Sequence, residues 1–431
     1  MTGGSPSPAA PPQSPYTAFR EPAFCRFILG SQLVQIGKSA QGLAIGWEIY
    51  QRTGEPLALG AVGLVQAVPM FLFTLPAGYL ADTLDRRKLM VASLLGATAT
   101  SLGLAAFSHA RGGIHWMYLL LFLDATFMRF GTPARTAILP LLVPRALFEN
   151  AVKWRTSLGQ ISGMVGPALG GFIVAWSVPA AYLFCAVCTV AFVFFLLLVR
   201  VPDAPRGAPG NMLRQVGEGV RFVWRNELVL GAISLDMFAV LLGGATYLLP
   251  VFAKDILNLG PTGLAPEKAL GWLRAAPAAG ALCMALLLAH RPPMRRAGRT
   301  LLWSIAGFGV ATVAFGFSTN FWFSWAMLFL TGLFDNVSVV VRHTLVQLAT
   351  PNEMRGRVSA VNAVFIGSSN ELGGFESGIV AHWFNPLVSV VSGGIGTLLV
   401  VGSWAGLFPK LRRFRTFADF ETSEQSAEAA K

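Results

Sequence analysis

From residue 23 to residue 408 the chain is a succession of long apolar stretches, each closed by a short polar or basic segment. About 20 apolar residues are what an α-helix needs to cross the hydrocarbon of a bilayer. Inside a bilayer every backbone N–H and C=O must find a partner within the protein, so stretches of this length must be helices. A soluble globular chain carries about 25% charged residues, whereas this one has 13% charged and 54% hydrophobic residues in a total of 431. The expected architecture is an all-α membrane protein. Its spans are placed at 23–48, 57–81, 89–108, 115–137, 153–176, 179–199, 228–253, 268–290, 300–318, 321–343, 357–380 and 386–408, twelve transmembrane helices in all.

Orientation follows from the basic residues, which collect on the cytoplasmic side of membrane proteins. With the N-terminus inside, the outer face holds only Arg52, Arg111, Lys254 and Lys268, and Lys38 and Arg274 fall within spans; the rest of the 33 Lys and Arg lie on inner loops and inner helix ends, Arg129 among them. That bias puts both termini in the cytoplasm and accounts for the net charge of +12 without a nucleic-acid partner. The first residues are Pro- and Ser-rich and uncharged, a composition that does not form a core. They lack the basic start and short apolar core of a cleaved leader, so the first span is expected to stay as an anchor in the cell (inner) membrane.

The longest connection divides the chain. Its second part sets Leu213, Val216, Val220 and Val223 on one helical face, with Arg214, Glu218, Arg221 and Arg225 largely elsewhere, the pattern of a basic amphipathic helix at a cytoplasmic surface. The resulting domains are a disordered tail over 1–20, a six-helix half over 21–200, a linker over 201–227, a second six-helix half over 228–408 and a tail over 409–431. The halves repeat. Gly63 and Gly271, and Pro69 and Pro277, share an offset of 208, while Pro144 and Pro351, and Gly166 and Gly373, share 207. A parallel duplication of this kind is a transporter architecture with its substrate site between the halves at mid-membrane.

Several other classes are excluded. The run Gly37-Lys38-Ser39 has the end of a phosphate-binding loop, but that loop needs a glycine at the position occupied by Gln32, and Gly30 lies two residues too early. Cys185 and Cys188 form a CxxC inside an apolar stretch, where thiolates are disfavoured and small apolar packing is expected. The five histidines lie singly near loops. No nucleophile–base set or metal cluster is present, so neither an enzyme, a cofactor nor a metal is expected, and no sizeable soluble domain remains for a sensor.

Two motifs carry more. After the second span, Gly78, Asp82, Arg86, Arg87 and Lys88 resemble the signature loop of the major facilitator superfamily. Asp82 and Arg86 can pair if the turn between them is helical, and the basic trio would hold the loop at an anionic leaflet. Thr83 stands where a base is usual and Asp85 where the pattern has glycine; the second-half equivalent has His290 in place of the acid. In the fifth span, Gly166, Pro167, Gly170 and Gly171 resemble the motif of drug/proton antiporters in that superfamily, with Ser162 at a position where the longer motif has glycine. Small residues there also permit close helix contact. The segments beginning at Gly46, Gly131, Leu248 and Ser368 look like the branch that contains enterobactin exporters and macrolide-efflux proteins. The resemblance implies the major facilitator fold and a secondary active transporter, a proton-coupled exporter of drug-like or siderophore-like amphipathic molecules, acting as a monomer by alternating access. Movement of lysophospholipids or other lipid-like substrates, or uncoupled facilitation, remains the alternative on the same fold.

Charges within spans complete the reading, because each costs about 2.5–3.5 kcal/mol at mid-helix on insertion scales and is kept for function. Lys38, Asp124, Asp236 and Asp335 lie in spans 1, 4, 7 and 10, and Glu371 lies midway along span 11. The resemblance implies that the first four helices line the central cavity, so these residues are the cavity or proton-coupling candidates. Structural pairing of Asp124 with Arg129, or of Asp335 with Arg342, competes with that role. Arg274 and Glu48 are read as near the outer surface. Many relatives carry an acid where Lys38 stands, so no proton site is carried over there. An ammonium facing a cavity needs an anion, and Asp124, Asp236 or an anionic group on the substrate could supply it.

Overall fold

The computed structural model describes residues 16–201, 212–290, 296–351 and 353–414. Its helices are α1 (Pro22–Thr53), α2 (Pro56–Thr83), α3 (Arg86–His109), α4 (Ile114–Ile138), α5 (Phe148–Trp176), α6 (Val178–Leu197), α7 (Met212–Arg225), α8 (Glu227–Leu242), α9 (Pro266–Ala289), α10 (Ala297–Gly316), α11 (Phe321–Leu348), α12 (Arg355–Trp383) and α13 (Pro386–Leu407). Helix occupies every stretch expected to span, with boundaries shifted by at most a few residues except in α8. Proline opens α1, α2, α9 and α13, where its missing N–H leaves nothing unbonded. The side chains of Asp85, Asn226, Asn320 and Asn385 cap α3, α8, α11 and α13, each accepting from first-turn N–H groups. Gly54, at φ 68°, ends α1 in the left-handed conformation that glycine adopts without a Cβ clash.

Among the described residues, nine helices are long and apolar enough to cross a membrane. The three expected spans outside that set are α1, α4 and α12, and they carry Lys38, Asp124 with Arg129, and Glu371. The polarity that removes them from a hydropathy criterion is the polarity that lines the cavity described below.

The expected span over 228–253 is not one continuous helix. α8 stops at Leu242, a 3-10 turn follows over Ala245–Leu248, and a π-turn covers Phe252–Ile256. Gly243 and Gly244 begin the break, and a Cβ on Gly244 would stand 2.6 Å from the carbonyl oxygen of Gly373 on α12. Close approach to α12 thus requires glycine here, and Pro250 supplies no N–H to continue the ladder.

The helices before residue 201 pack among themselves, α1 on α5 and α6, and α3 on α4 and α6; those after residue 226 do likewise, α11 on α9 and α10, and α13 on α8 and α10. The two groups meet through α2 on α12 and α5 on α9. Glycines carry both seams. A Cβ on Gly171 would stand 2.7 Å from Gly271 Cα, and one on Gly378 would stand 2.5 Å from Gly60 Cα. Gly171 and Gly378 are 207 residues apart, the offset already read from the repeat, and Gly63, the repeat mate of Gly271, packs on the carbonyl of Glu371.

The seams close toward one face only. On the side of the α1–α2 turn a single apolar core joins both groups, from Leu43, Trp47 and Leu59 through Tyr182 to Phe252, Leu270 and Phe315. On the other side, where the basic loops lie, the core divides into separate clusters, one of N-terminal helices around Phe24, Ile138 and Phe192 and two of C-terminal helices around Leu235 and Val341 and around Val229 and Val358. A Cβ on Gly163 of α5 would stand 3.7 Å from Ala278 Cβ of α9, whereas one on Gly159 would meet nothing within 4 Å.

The linker segment contains a helix, Met212–Arg225, where an amphipathic one is expected. Val223 is buried with Val229, Ile233, Val346, Val358 and Val361, and Glu218 pairs with Arg357 at 2.5 Å. Val220 and Val223 therefore pack against the ends of α8, α11 and α12. The tail expected to be disordered over 1–20 falls mostly outside the described residues, yet Thr17–Arg20 form a 3-10 turn and Phe19 stacks edge-on against Trp154 at 4.8 Å. In the C-terminal tail, Pro409–Arg413 make one further short helix and residues from 415 lie outside the described set.

Candidate functional site

A cavity of about 620 Å³ lies at the junction of the two groups, bounded by α1, α2, α4, α5, α9, α12 and the broken segment after α8. α4 presents Leu121, Asp124, Ala125, Met128, Arg129 and Thr132 to it, and α1 presents Lys38, Gln41, Gly42, Ile45 and Gly46. Both sets recur every three to four residues, one face of each helix.

On the N-terminal side of the cavity Lys38 Nζ donates to Asp124 Oδ1 at 2.5 Å, with the two side chains 17% and 8% exposed. The same carboxylate accepts from Thr100 Oγ1 at 2.8 Å and from Gln41 Nε2 at 3.3 Å. Gln41 is oriented by Ser101, whose Oγ donates to Gln41 Oε1 at 2.7 Å. Asp124 thus has a partner of opposite charge and two neutral donors. Of the anions considered for Lys38, the structure selects Asp124.

On the other side stands Glu371 of α12, whose Oε2 accepts from Tyr247 Oη at 2.5 Å. The break after α8 is what brings Tyr247 inward. Arg274 of α9 reaches across to α1, where Nη1 donates to the carbonyl of Gly42 at 3.4 Å and the guanidinium fits a notch left by Gly42 and Gly46. Arg129 and Arg274 line the same cavity as Glu371. The wall therefore holds Lys38, Arg129 and Arg274 against Asp124 and Glu371, one positive charge in excess.

The remaining candidates lie elsewhere. Asp236 forms an ion pair with Arg342 inside the C-terminal helices, both nearly inaccessible. Asp335 shares with Asp236 and Ser338 a separate void of about 10 Å³, no larger than one water needs. Neither acid lines the central cavity: Asp236 of α8 turns to Arg342 of α11, and Asp335 faces the small void beside it. The proposed pairs of Asp124 with Arg129 and of Asp335 with Arg342 are replaced by Asp124 with Lys38 and Asp236 with Arg342. Arg274 and Arg129, read as an outer-surface and an inner-end residue, both line the cavity. Arg129 lies five residues after Asp124, well around the helix from it, so only its place four residues after Ala125, another lining residue, points to the cavity. Glu48, by contrast, is 3% exposed and held by Arg52, Ser108 and Tyr182 within the N-terminal helices.

The two motifs have clear local roles. Gly166 and Gly170 let α5 sit on α1, with Cβ positions 2.6 Å from Ser39 Cβ and 2.8 Å from Ala40 Cα; Gly171 meets Gly271 of α9, and Pro167 lines the cavity. Ser162 is tied to α1 by donating to Gln32 Oε1 at 2.8 Å. In the loop after Gly78, the turn is not helical. Leu84 and Asp85 are extended, at ψ 165° and 114°, so the four-residue spacing of Asp82 and Arg86 does not stack them on one helix face. Asp85, the departure from the family pattern, instead caps α3 by accepting from Lys88 N at 3.0 Å, and Arg87 donates to the carbonyl of Leu197 at 2.7 Å.

Across the seam on the face of the α1–α2 turn, Tyr50 Oη donates to Asp255 Oδ2 at 2.5 Å and Lys254 Nζ lies 5.2 Å from the Tyr50 ring centre.

Residues 13–429 match the model of a family described as transmembrane secretion effectors. The chain is 25% identical over 407 residues to enterobactin exporters of Shigella boydii serotype 18 and Escherichia coli O157:H7, over 93% of this chain and 94% of theirs. Among solved structures it is similar to the nucleoside transporter NupG, with TM-score 0.73 and 12% identity over 90% of this chain and 100% of that one. A second is a bacterial homologue of the human lysosomal transporter Spinster in an inward-facing, unoccupied conformation, with TM-score 0.68 and 15% identity over 95% of this chain and 99% of that one.

Proposed function

The chain belongs to the transmembrane secretion effector family of the major facilitator superfamily and is a multi-pass membrane transporter, and from that premise we propose that it is a proton-coupled exporter of siderophore-like amphipathic molecules. It works in the cell inner membrane with both termini cytoplasmic. Twelve spans form two six-helix halves that rock about the central cavity, and the described state is the inward-open one.

The observation that carries the reading is the charged wall of the cavity. One excess positive charge among Lys38, Arg129, Arg274, Asp124 and Glu371 favours a substrate bearing an acidic group, which agrees with siderophore export better than with export of cationic drugs. Substrate is bound by polar groups placed in an otherwise apolar pocket, here Gln41, Gln66, Tyr247 and the arginines beside Met128, Leu59 and Pro250. Asp124 is the coupling candidate. Exchange of inward protons for outward substrate requires that the proton on its carboxylate and the substrate occupy the cavity in turn, never together.

The test is pH-driven uptake of enterobactin into everted vesicles, with a pH-sensitive dye reporting dissipation of the imposed gradient. The wild type is expected to accumulate enterobactin and quench the gradient. Asp124→Asn and Glu371→Gln are to be compared; Asp124→Asn is expected to abolish accumulation while leaving substrate exchange measurable. Accumulation by both variants at the wild-type level would remove proton coupling from this site.

A further inference from the structure

On the lipid-facing side of the C-terminal helices, at the end where the basic loops lie, α9, α10 and α11 leave a second cavity of about 460 Å³ that is separate from the central one. Its rim is Arg296 and Arg299, at the start of α10; its walls are apolar, with Met284 of α9 and Phe334 and Val337 of α11, and Trp303 of α10 stands over it 76% exposed. No acidic side chain lines it, and among the described residues neither arginine has an ion-pair or side-chain hydrogen-bond partner.

We propose that this groove is a binding site for an anionic glycerophospholipid of the surrounding bilayer, with the phosphodiester on Arg296 and Arg299 and one acyl chain in the groove. Charge and depth both argue for this occupant. Two unpaired guanidiniums at a membrane surface attract an anionic headgroup, and arginine's planar fork suits phosphate oxygens. Seven residues separate Arg296 from Trp303, about 10 Å along a helix, so the groove descends from headgroup level into the acyl region. An indole at that depth sits where tryptophan belongs in a membrane protein, at the boundary between headgroups and hydrocarbon. A soluble anion would satisfy the arginines and leave the apolar walls uncovered; a neutral lipid would cover the walls and leave the arginines without a counter-charge.

The experiment uses the full-length protein in phosphatidylcholine nanodiscs doped with brominated lipid. The signal is the part of the tryptophan emission that Trp303→Phe removes. Brominated phosphatidylglycerol is expected to quench it at a mole fraction about 25-fold lower than brominated phosphatidylcholine, the factor that two surface arginines give. Arg296→Gln/Arg299→Gln is expected to equalise the two lipids, and Arg296→Lys/Arg299→Lys, which retains the charge, to keep most of the preference. Soluble glycerol phosphate, with the charge and no chains, is expected not to restore emission. Equal quenching by the two lipids in the wild type, an undiminished preference in the glutamine variant, or displacement by glycerol phosphate would each overturn the proposal.

Discussion

The pair of Lys38 and Asp124 shows how a charge inside a membrane helix is held. Its cost is met by an ion pair and by donors from Thr100 and Gln41. Removing one partner of such a pair leaves an uncompensated charge and costs about 3–5 kcal/mol, whereas removing both is close to neutral. Lys38→Met is therefore expected to lower the thermal unfolding midpoint of the purified protein markedly, and Lys38→Met/Asp124→Asn to recover most of that loss. Equal instability of the single and double variants, read by intrinsic fluorescence on heating, would show that the two charges do not depend on each other. The sequence made Lys38 legible as a cavity residue because Gly37, Ser39 and Gln41 surround it with local polarity. It did not make Asp236 legible as an interior one. Hydropathy reports the depth of a residue along a span, but the direction of its side chain depends on neighbours supplied by other helices, here Arg342 from α11.

At the level of elements, α2 with α12 and α5 with α9 pack backbone to backbone on one face, and α5 leaves Gly159 without a neighbour toward the other. Glycine is what permits the packed end. Gly171→Val places its side chain against Gly271 Cα, 2.7 Å from the first added carbon, and is expected to hold that face of the seam apart. A cysteine at Leu270, fully buried in the wild type, should then react with a membrane-impermeant maleimide added to that face. Gly159→Val, at a position with no neighbour within 4 Å, should leave labelling unchanged, and identical labelling in both variants would deny the seam a gating part. Helix positions were readable because length and hydropathy encode them directly. The break after Leu242 was not, since apolar residues continue through it; only the paired glycines and Pro250 hint at it, and the same residues occur inside unbroken helices such as α2 and α5.

Across the whole molecule, the apolar core is single on the face of the α1–α2 turn and divided on the basic face. The rocking motion proposed above would therefore open a packed core on one side and create one on the other. The Tyr50–Asp255 hydrogen bond crosses the packed side, and a hydrogen bond to a charged group contributes about 1.5–3 kcal/mol. Tyr50→Phe keeps the ring under Lys254 and removes that bond, so the state open on that face should gain about tenfold or more in population. Spin-label distances across that face would report the shift, and an unaltered distance distribution would mean that the glycine seams alone hold it shut.

The polarity of α1 also has a consequence in time. Lys38 and Asp124 are 86 residues apart, and chains grow at about 5–20 residues per second, so roughly 4–17 s separate the synthesis of the ammonium from that of its carboxylate. For that interval α1 holds a charge that hydrocarbon resists and no partner yet made to accept it. The packing that buries Lys38 therefore cannot be completed before α4 is made. The ion pair is set by the later of its two deliveries rather than by the order in which the helices are made.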